Sequence, residues 1–235
     1  MSNMWWLSIP IIITLFILLR KLNSRIQSPL LKAISNPVFL AITIFAVILV
    51  AADLSYTRFY QHSQLLSWLL EPAIVALALP LYQQFIHIRK NALLILLSCT
   101  FGVINATVVA TLLSALFDVP VHLAASVAAL SVTTPITLLI TDSLGGIASL
   151  AAAMVIFIGL LGALFGFMLF RILGIYNHQA QGVAIGTACH AIGTAAALNE
   201  NTSIGAFASV AMALSALVTE LIVPLLYPFL SQALL

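Results

Sequence analysis

The residues best suited to chemistry lie in one apolar segment, 180–198. Its small and polar residues are Gly186, Thr187, Cys189, His190, Gly193 and Thr194. On a continuous helix, Thr187, His190 and Thr194 would share one face. Hydrocarbon cannot satisfy polar side chains, so this cluster indicates a solute site or the lining of a cavity. A histidine there can donate a hydrogen bond to a carboxylate or carry a proton. The alternative is a hydrogen bond between helices.

A second cluster interrupts the apolar segment 121–145. Proline lacks a backbone donor and disfavours helix at the preceding residue, so we expect the chain to unwind here. A half-helix would then begin, with Thr134 as its N-cap and Pro135 as its first residue. The N-terminal end of a half-helix attracts anions. The candidate substrate-binding residues are therefore Ser131, Thr133, Thr134 and Pro135. The alternative is a proline kink with threonines bonded to their own helix.

Three carboxylates are candidates for coupling a proton or a cation to the solute. Glu71 precedes Pro72 inside the segment 65–82. A charge at mid-bilayer costs on the order of 3 kcal/mol, so Glu71 would be protonated or paired there. The alternative places Glu71 at the membrane interface. Asp142 either binds a cation or caps the next helix, and Glu220 lies among apolar residues of 205–231.

Metal, cofactor and enzyme chemistry find no support in the sequence. His190 has no second histidine or cysteine at a ligand spacing, and no nucleophile and base have a recognisable spacing. Cys99 and Cys189 lie in apolar segments, which argues against a disulfide framework. We therefore expect no metal, no cofactor and no enzyme activity.

The composition of the chain indicates the class of protein in which these residues are placed. The 235 residues are 63% hydrophobic and 6% charged, with a net charge of +2. A soluble surface needs roughly a quarter of its residues charged, so we expect an all-α polytopic membrane protein. We expect one integral membrane domain over residues 1–235. The small positive charge gives no nucleic-acid signal, because the basic residues lie in loops, as membrane topology places them.

A spanning helix needs about 20 apolar residues, and about seven to eight segments qualify. They are 4–19, 37–54, 65–82, 92–117, 121–145, 147–173, 180–198 and 205–231. If 121–145 is a re-entrant hairpin rather than a span, 65–82 and 180–198 become antiparallel. The chain would then be an inverted repeat with paired broken helices. The sequence leaves both topologies open.

Several ordered motifs carry a family resemblance. They are Glu71–Tyr82, Ser131–Ile136, Gly145-Gly146, Gly186–Thr194 and Gly205–Ser209. In type and spacing they resemble the LrgB/CidB family over residues 65–230. The sequence departs from that pattern at Ala129 and Leu130, where many relatives have Pro-Lys, and at Ala195, where many have arginine. Cys189 replaces a serine of the family. Two cations that would pair with a carboxylate are thus missing, so the substrate or its binding mode differs here.

The resemblance implies a multi-pass protein of the bacterial inner membrane that forms homo-oligomers. Since a plastid relative moves glycolate and glycerate, it implies a secondary transporter of small monocarboxylates of the pyruvate class. Bacterial members were first described as holin-like or antiholin-like, usually beside a small LrgA/CidA-type membrane partner. The alternative is therefore an oligomeric regulator of murein hydrolase activity and autolysis. The substrate, the coupling ion, the subunit number and the need for a partner stay open.

Overall fold

A computed structural model describes residues 8–26, 35, 37–69, 72, 75–76 and 78–235. Within these residues every regular element is a helix. Glu71, the first coupling candidate, lies outside the described residues. The chain forms two compact units, Met1–Ala76 and Leu77–Leu235. The expected all-α membrane class is confirmed, and the single domain stays a prediction.

The first unit contains helices α1 (Ser8–Ser24), α2 (Pro37–Ala51) and α3 (Tyr56–Trp68). Helix α1 packs against α2 and α3. Helix α1 runs past the expected end at residue 19, so its last turns carry Arg20 and Lys21. Helix α3 occupies a polar stretch that the sequence suggested as a loop, and its Tyr56 and Tyr60 rings stack 6.3 Å apart.

The second unit carries the candidate site. Its helices are α4 (Ala78–Gln83), α5 (Phe85–Lys90), α6 (Ala92–Leu116), α7 (Val121–Val127), α8 (Thr134–Ser143), α9 (Ala148–Ile172), α10 (His178–Glu200) and α11 (Thr202–Leu234). Helices α6, α9 and α11 are each long and apolar enough to cross a membrane. The expected spans 92–117, 147–173 and 205–231 are therefore present as single helices.

Residues 121–147 fold back on themselves, and we call them hairpin A. Helices α7 and α8 have seven and ten residues, or about 10 and 15 Å, which is too short to cross a bilayer core of about 30 Å. The chain turns between them, where Thr137 Oγ1 donates to the Ala129 carbonyl at 2.9 Å. It then returns alongside α7, since Ile147 N donates to Ser126 Oγ in the last turn of that helix at 2.7 Å. The segment is therefore a re-entrant hairpin.

Residues 178–201 also fold back, and we call them hairpin B. His190 interrupts α10 with φ 42° and ψ −139°. A Cβ placed on Gly193 would lie 3.3 Å from the Ile185 carbonyl oxygen, whereas eight residues of continuous helix extend about 12 Å. The expectation of a broken span at 180–198 is thus wrong in detail. Thr187 and Thr194 lie on different arms, so they do not share a helix face with His190.

The two hairpins enter from opposite ends of the second unit. Helices α6 and α10 begin at one end, where Asn91 Nδ2 donates to Gln179 Oε1 at 3.2 Å. Helix α9 ends there too, with Arg171 3.6 Å from Glu200. We call this the basic end, because it also holds Arg89 and Lys90. Hairpin B starts and finishes at the basic end. Hairpin A starts and finishes at the opposite end, beside Asp118 and Asp142.

This arrangement is an inverted repeat of a long helix followed by a re-entrant hairpin. Helix α6 with hairpin A and helix α9 with hairpin B run in opposite directions. Within this repeat, 121–145 is the counterpart of 180–198. Part of 65–82, the counterpart that the sequence suggested, lies outside the described residues, so that pairing stays a prediction. Helix α11 joins the repeats, because its first half packs on hairpin B at Gly182 and its Tyr227 OH donates to Val121 O of hairpin A at 3.1 Å.

Candidate functional site

A deep groove of about 1060 Å³ runs along α6 from Asn91 at the basic end to Phe117 at the other. Both hairpins bring polar residues to its wall, Ser131 from hairpin A, and Gln179 and Thr187 from hairpin B. Met154 and Ile158 of α9 complete the central part. The structure thus joins two residues that are 56 positions apart in the chain and that the sequence analysis had selected separately.

Thr187 is held in place by contacts with α6. Its Oγ1 donates to Cys99 Sγ at 3.3 Å, and its methyl group lies against Gly102. Thr187 is 6% exposed and lines the groove. Ser131 is 8% exposed and lies where the chain turns between α7 and α8. The Ser131 hydroxyl can donate one hydrogen bond to a solute, whereas the Thr187 hydroxyl can do so only by giving up its bond to Cys99 Sγ.

His190 forms the tip of hairpin B and does not line the groove. Its Nε2 lies 2.9 Å from the carbonyl oxygen of Val155, and the side chain is 3% exposed. Because a carbonyl only accepts, Nε2 must carry the proton. The left-handed φ of His190 is strained for a residue with a side chain. His190 therefore acts as an anchor that holds the tip of hairpin B against α9.

Glycines of α9 explain why the hairpin can approach so closely. A Cβ placed on Gly159 would lie 2.6 Å from His190 Cε1, and one on Gly162 would collide with Cys189 Sγ. Gly186, on the other side of the hairpin, meets the backbone of Ala208 in α11. Gly186, Cys189 and His190 therefore serve packing, although the sequence suggested them as substrate-binding residues. Gly193 packs against Cys189 within the hairpin.

The remaining candidates lie away from the groove. Thr133 is the N-cap residue of α8, one position earlier than expected, and its side chain makes no capping bond. Thr134 and Pro135 follow it in the first turn. Thr194 donates to Met212 Sδ at 3.8 Å, which ties the second arm of hairpin B to α11.

Two coupling candidates are exposed and also lie outside the groove. Asp142 is exposed in the last turn of α8 and does not cap α9, whose N-cap residue is Ile147. Glu220 is exposed on α11. Within the described residues, no three His, Cys, Asp or Glu side chains come together in a way that would hold a metal ion.

The sequence analysis missed the wall that α6 contributes. Ser98, Gly102 and Asn105 of this helix line the groove. The signal was present, because small residues recur every four positions on this helix, at Ser98, Gly102, Ala106, Ala110 and Ser114. Such a stripe lets another element approach a membrane helix closely. Thr107 does connect helices, since its Oγ1 donates to Ala128 O at 3.1 Å.

Comparisons with known proteins place the chain in a family. The LrgB-like family matches residues 12–229, well beyond the 65–230 that the motifs covered. The chain belongs to the LrgB-like family. Holin-like protein CidB of Staphylococcus epidermidis is 30% identical over 221 residues, 94% of each chain. Antiholin-like protein LrgB of Bacillus mycoides is 29% identical over 194 residues, 83% of this chain and 84% of the relative.

A relative from Haemophilus influenzae that is named only as an uncharacterized protein is 30% identical over 194 residues, with 83% of this chain and 84% of the relative covered. No solved structure matches the chain. The LrgB-like membership and the long apolar helices together make the chain a polytopic membrane protein.

Proposed function

We propose that this LrgB-like protein is a secondary transporter of small monocarboxylates, with its solute site where the two hairpins meet the groove. One observation carries the proposal: two re-entrant hairpins of opposite orientation bring Ser131 and Thr187 to a shared wall. Non-helical backbone at membrane depth is stable where it is buried in protein or lines a cavity. Inverted repeats with broken helices around a central site are a common layout of secondary transporters.

Two helix N-termini that begin within three residues of Ser131 and Thr187 favour an anion beside the groove wall. Helix α8 and the second arm of hairpin B both begin at a hairpin tip, so their positive N-terminal ends point towards mid-depth. Each such end stabilises a negative charge by typically 0.3–1 kcal/mol, and by up to about 2 kcal/mol when partly buried. Ser131 adds a hydroxyl donor, and Thr187 would add a second by exchanging its bond to Cys99 Sγ for one to the solute. Since Leu130 and Ala195 replace basic residues of many relatives, the anion would be bound without a charged side chain.

A second candidate function is a holin-like or antiholin-like regulator of murein hydrolase activity. The names of the CidB and LrgB relatives favour it over a specific monocarboxylate transporter. As a hole-forming assembly, the chain would release solutes without selectivity and without saturation. Homo-oligomers, a small LrgA/CidA-type partner and a location in the bacterial inner membrane belong to both proposals.

Flux into proteoliposomes separates the two candidates. We would measure uptake of labelled pyruvate, glycolate and lactate, with and without a proton gradient, together with release of an entrapped fluorescent dye. Saturable uptake without dye release supports transport. Dye release without saturation supports the holin-like function and overturns the transporter proposal.

Variants of the two groove hydroxyls locate the site. Thr187→Val and Ser131→Ala should each raise KM for the carboxylate by about tenfold, because one hydrogen bond to a charged group is lost. Matched controls are Thr100→Val and Ser143→Ala, whose hydroxyls bond to their own helices and do not line the groove. Unchanged kinetics in both groove variants would contradict the assigned site.

A further inference from the structure

A second, smaller cavity of about 370 Å³ opens at the basic end of the second unit. We call it the vestibule. Polar and aromatic side chains line it, among them His87, Tyr176, Asn177, His178, Gln179 and Ser203. None of its lining residues carries a carboxylate. The vestibule therefore presents hydrogen-bond donors without a negative charge to repel an anion.

Charged residues near the vestibule also favour anions over cations. All three lysines and arginines of residues 77–235, Arg89, Lys90 and Arg171, lie at the basic end. Glu200 is the only carboxylate beside them in the described part of this unit, and it pairs with Arg171 at 3.6 Å. Arg89 and Lys90 directly precede the start of α6 and leave a positive balance. A positive balance of charge at the same end as a cavity raises the local concentration of anions there.

The vestibule and the groove share part of their walls. Asn177 and Gln179 line both cavities. Gln179 Oε1 accepts a hydrogen bond from Asn91 Nδ2 at 3.2 Å, and Asn91 lines the groove. Asn91 Nδ2 also donates to the His87 carbonyl at 3.0 Å, next to the vestibule. The amide pair Asn91–Gln179 thus lies at the junction of the two cavities.

We propose that the vestibule collects small anions that carry a carboxylate or phosphate group, and that the Asn91–Gln179 pair gates their passage to the groove. This proposal rests on the proposed transport function, because collecting and gating anions would serve their transport. Its physical content is independent of transport, because it concerns which ions reach the vestibule and what blocks them there. The occupant is a soluble anion from the aqueous phase at the basic end.

Thiol labelling measures the anion preference without any transport assay. Ser203→Cys places a thiol in the vestibule, and both native cysteines are buried. The full-length protein in neutral-lipid vesicles would be labelled with negatively and positively charged methanethiosulfonates of similar size. We expect the ratio of the negative to the positive rate at Ser203→Cys to exceed that at Ser143→Cys, at the opposite end, by on the order of tenfold.

Charge reversal supplies the matched control. Replacing His87 and His178 by glutamate should lower the ratio at Ser203→Cys to that of the opposite end. His122→Glu changes an exposed histidine of hairpin A and should leave the ratio unchanged. Equal ratios at the two ends, or equal effects of the two sets of substitutions, would overturn the anion-collecting role. Either result is obtained whether or not the protein moves pyruvate.

Labelling inside the groove tests the gate. Ala184 is exposed in the groove, one to two turns beyond Gln179. Gln179→Ala should speed modification of Ala184→Cys by the negative reagent several-fold, because the amide pair is lost. Gln84→Ala removes a vestibule amide that is not part of the pair and should leave the rate unchanged. An equal rate in Gln179→Ala and its parent would refute the gate.

Competition distinguishes a soluble anion from a lipid headgroup. Added lactate or inorganic phosphate should slow labelling of Ser203→Cys in neutral-lipid vesicles. If protection appears only when phosphatidylglycerol is incorporated, the vestibule binds a lipid headgroup and the proposal of a soluble occupant is wrong.

Discussion

The imidazole Nε2 of His190 lies 2.9 Å from the carbonyl oxygen of Val155. Val155 belongs to the first half of α9, and His190 forms the tip of hairpin B. The bond therefore fixes how far the hairpin reaches into the second unit. It also ties a strained residue, with φ 42°, to an unbroken helix. Hairpin B is thereby held where Thr187 can line the groove.

Two substitutions of His190 separate its backbone role from its side-chain role. Both His190→Gly and His190→Ala remove the bond to Val155, but only glycine adopts the left-handed φ without strain. We expect His190→Gly to be more stable than His190→Ala by about 1 kcal/mol. Thermal unfolding of the purified proteins in detergent measures the difference. Equal stabilities would show that the tip relaxes to an ordinary φ.

The same pair of variants tests what the anchor does for uptake. His190→Ala should abolish carboxylate uptake with little loss of protein, because the hairpin tip is no longer held. His190→Gly should be equally inactive, since it also lacks the imidazole. Normal uptake by either variant would show that the His190 imidazole is not needed to position the solute site.

Gly162 tests the close contact between α9 and hairpin B. A Cβ at this position collides with Cys189 Sγ, so Gly162→Ala should cost about 1–3 kcal/mol of stability. The double variant Gly162→Ala with Cys189→Ala should recover part of that loss, because the sulfur is gone. Strict additivity of the two single effects in denaturant unfolding would show that the residues do not touch.

Ser126 tests the closure of hairpin A. Its Oγ accepts from Ile147 N at 2.7 Å and donates to His122 O at 2.9 Å, and the residue is fully buried. Ser126→Ala should lower the free energy of unfolding by about 1–3 kcal/mol, because the backbone N–H of Ile147 loses its acceptor. Ser143→Ala removes an exposed serine that bonds only within α8 and should change stability by less than about 0.5 kcal/mol. Equal effects would contradict the closed hairpin.

The salt bridge at the base of hairpin B should contribute little to the stability of the folded protein. Arg171 and Glu200 are 3.6 Å apart, and their side chains are 68% and 48% exposed. Water screens such a pair, so Arg171→Gln should lower stability by less than about 1 kcal/mol. A loss of several kcal/mol in thermal unfolding would mean that the pair is buried, for example in an oligomer.

Residue types alone identified 121–145 and 180–198 as the two apolar segments that are interrupted. Proline in a polar run predicted the break near Ser131, and the structure turns there, with the N-cap shifted by one residue to Thr133. Hydropathy found α6, α9 and α11, because each is a continuous apolar run. The end of α1 beyond residue 19 and the helix over 56–68 were not predicted, since polar residues within a helix do not stand out by hydropathy.

The reversal at His190 could not be read from the sequence. A break inside an apolar segment is compatible with a kinked span and with a hairpin, because both have the same local pattern. The choice depends on contacts with distant residues, chiefly Gly159 and Gly162 of α9 and Ala208 of α11. For the same reason, helical spacing wrongly placed Thr194 on the face of Thr187. The groove wall at Asn105 likewise depends on which helices become neighbours.

The opposite orientation of the two hairpins is the central structural claim. Cysteine labelling of the full-length protein in sealed vesicles measures it directly. Single cysteines at His178 and Asn201 mark the two ends of hairpin B, and those at Val121 and Ile147 mark the ends of hairpin A. A membrane-impermeant thiol reagent should label the first pair from one side and the second pair from the other. Labelling of His178→Cys and Asn201→Cys from opposite sides would make 178–201 a span and would contradict the inverted repeat.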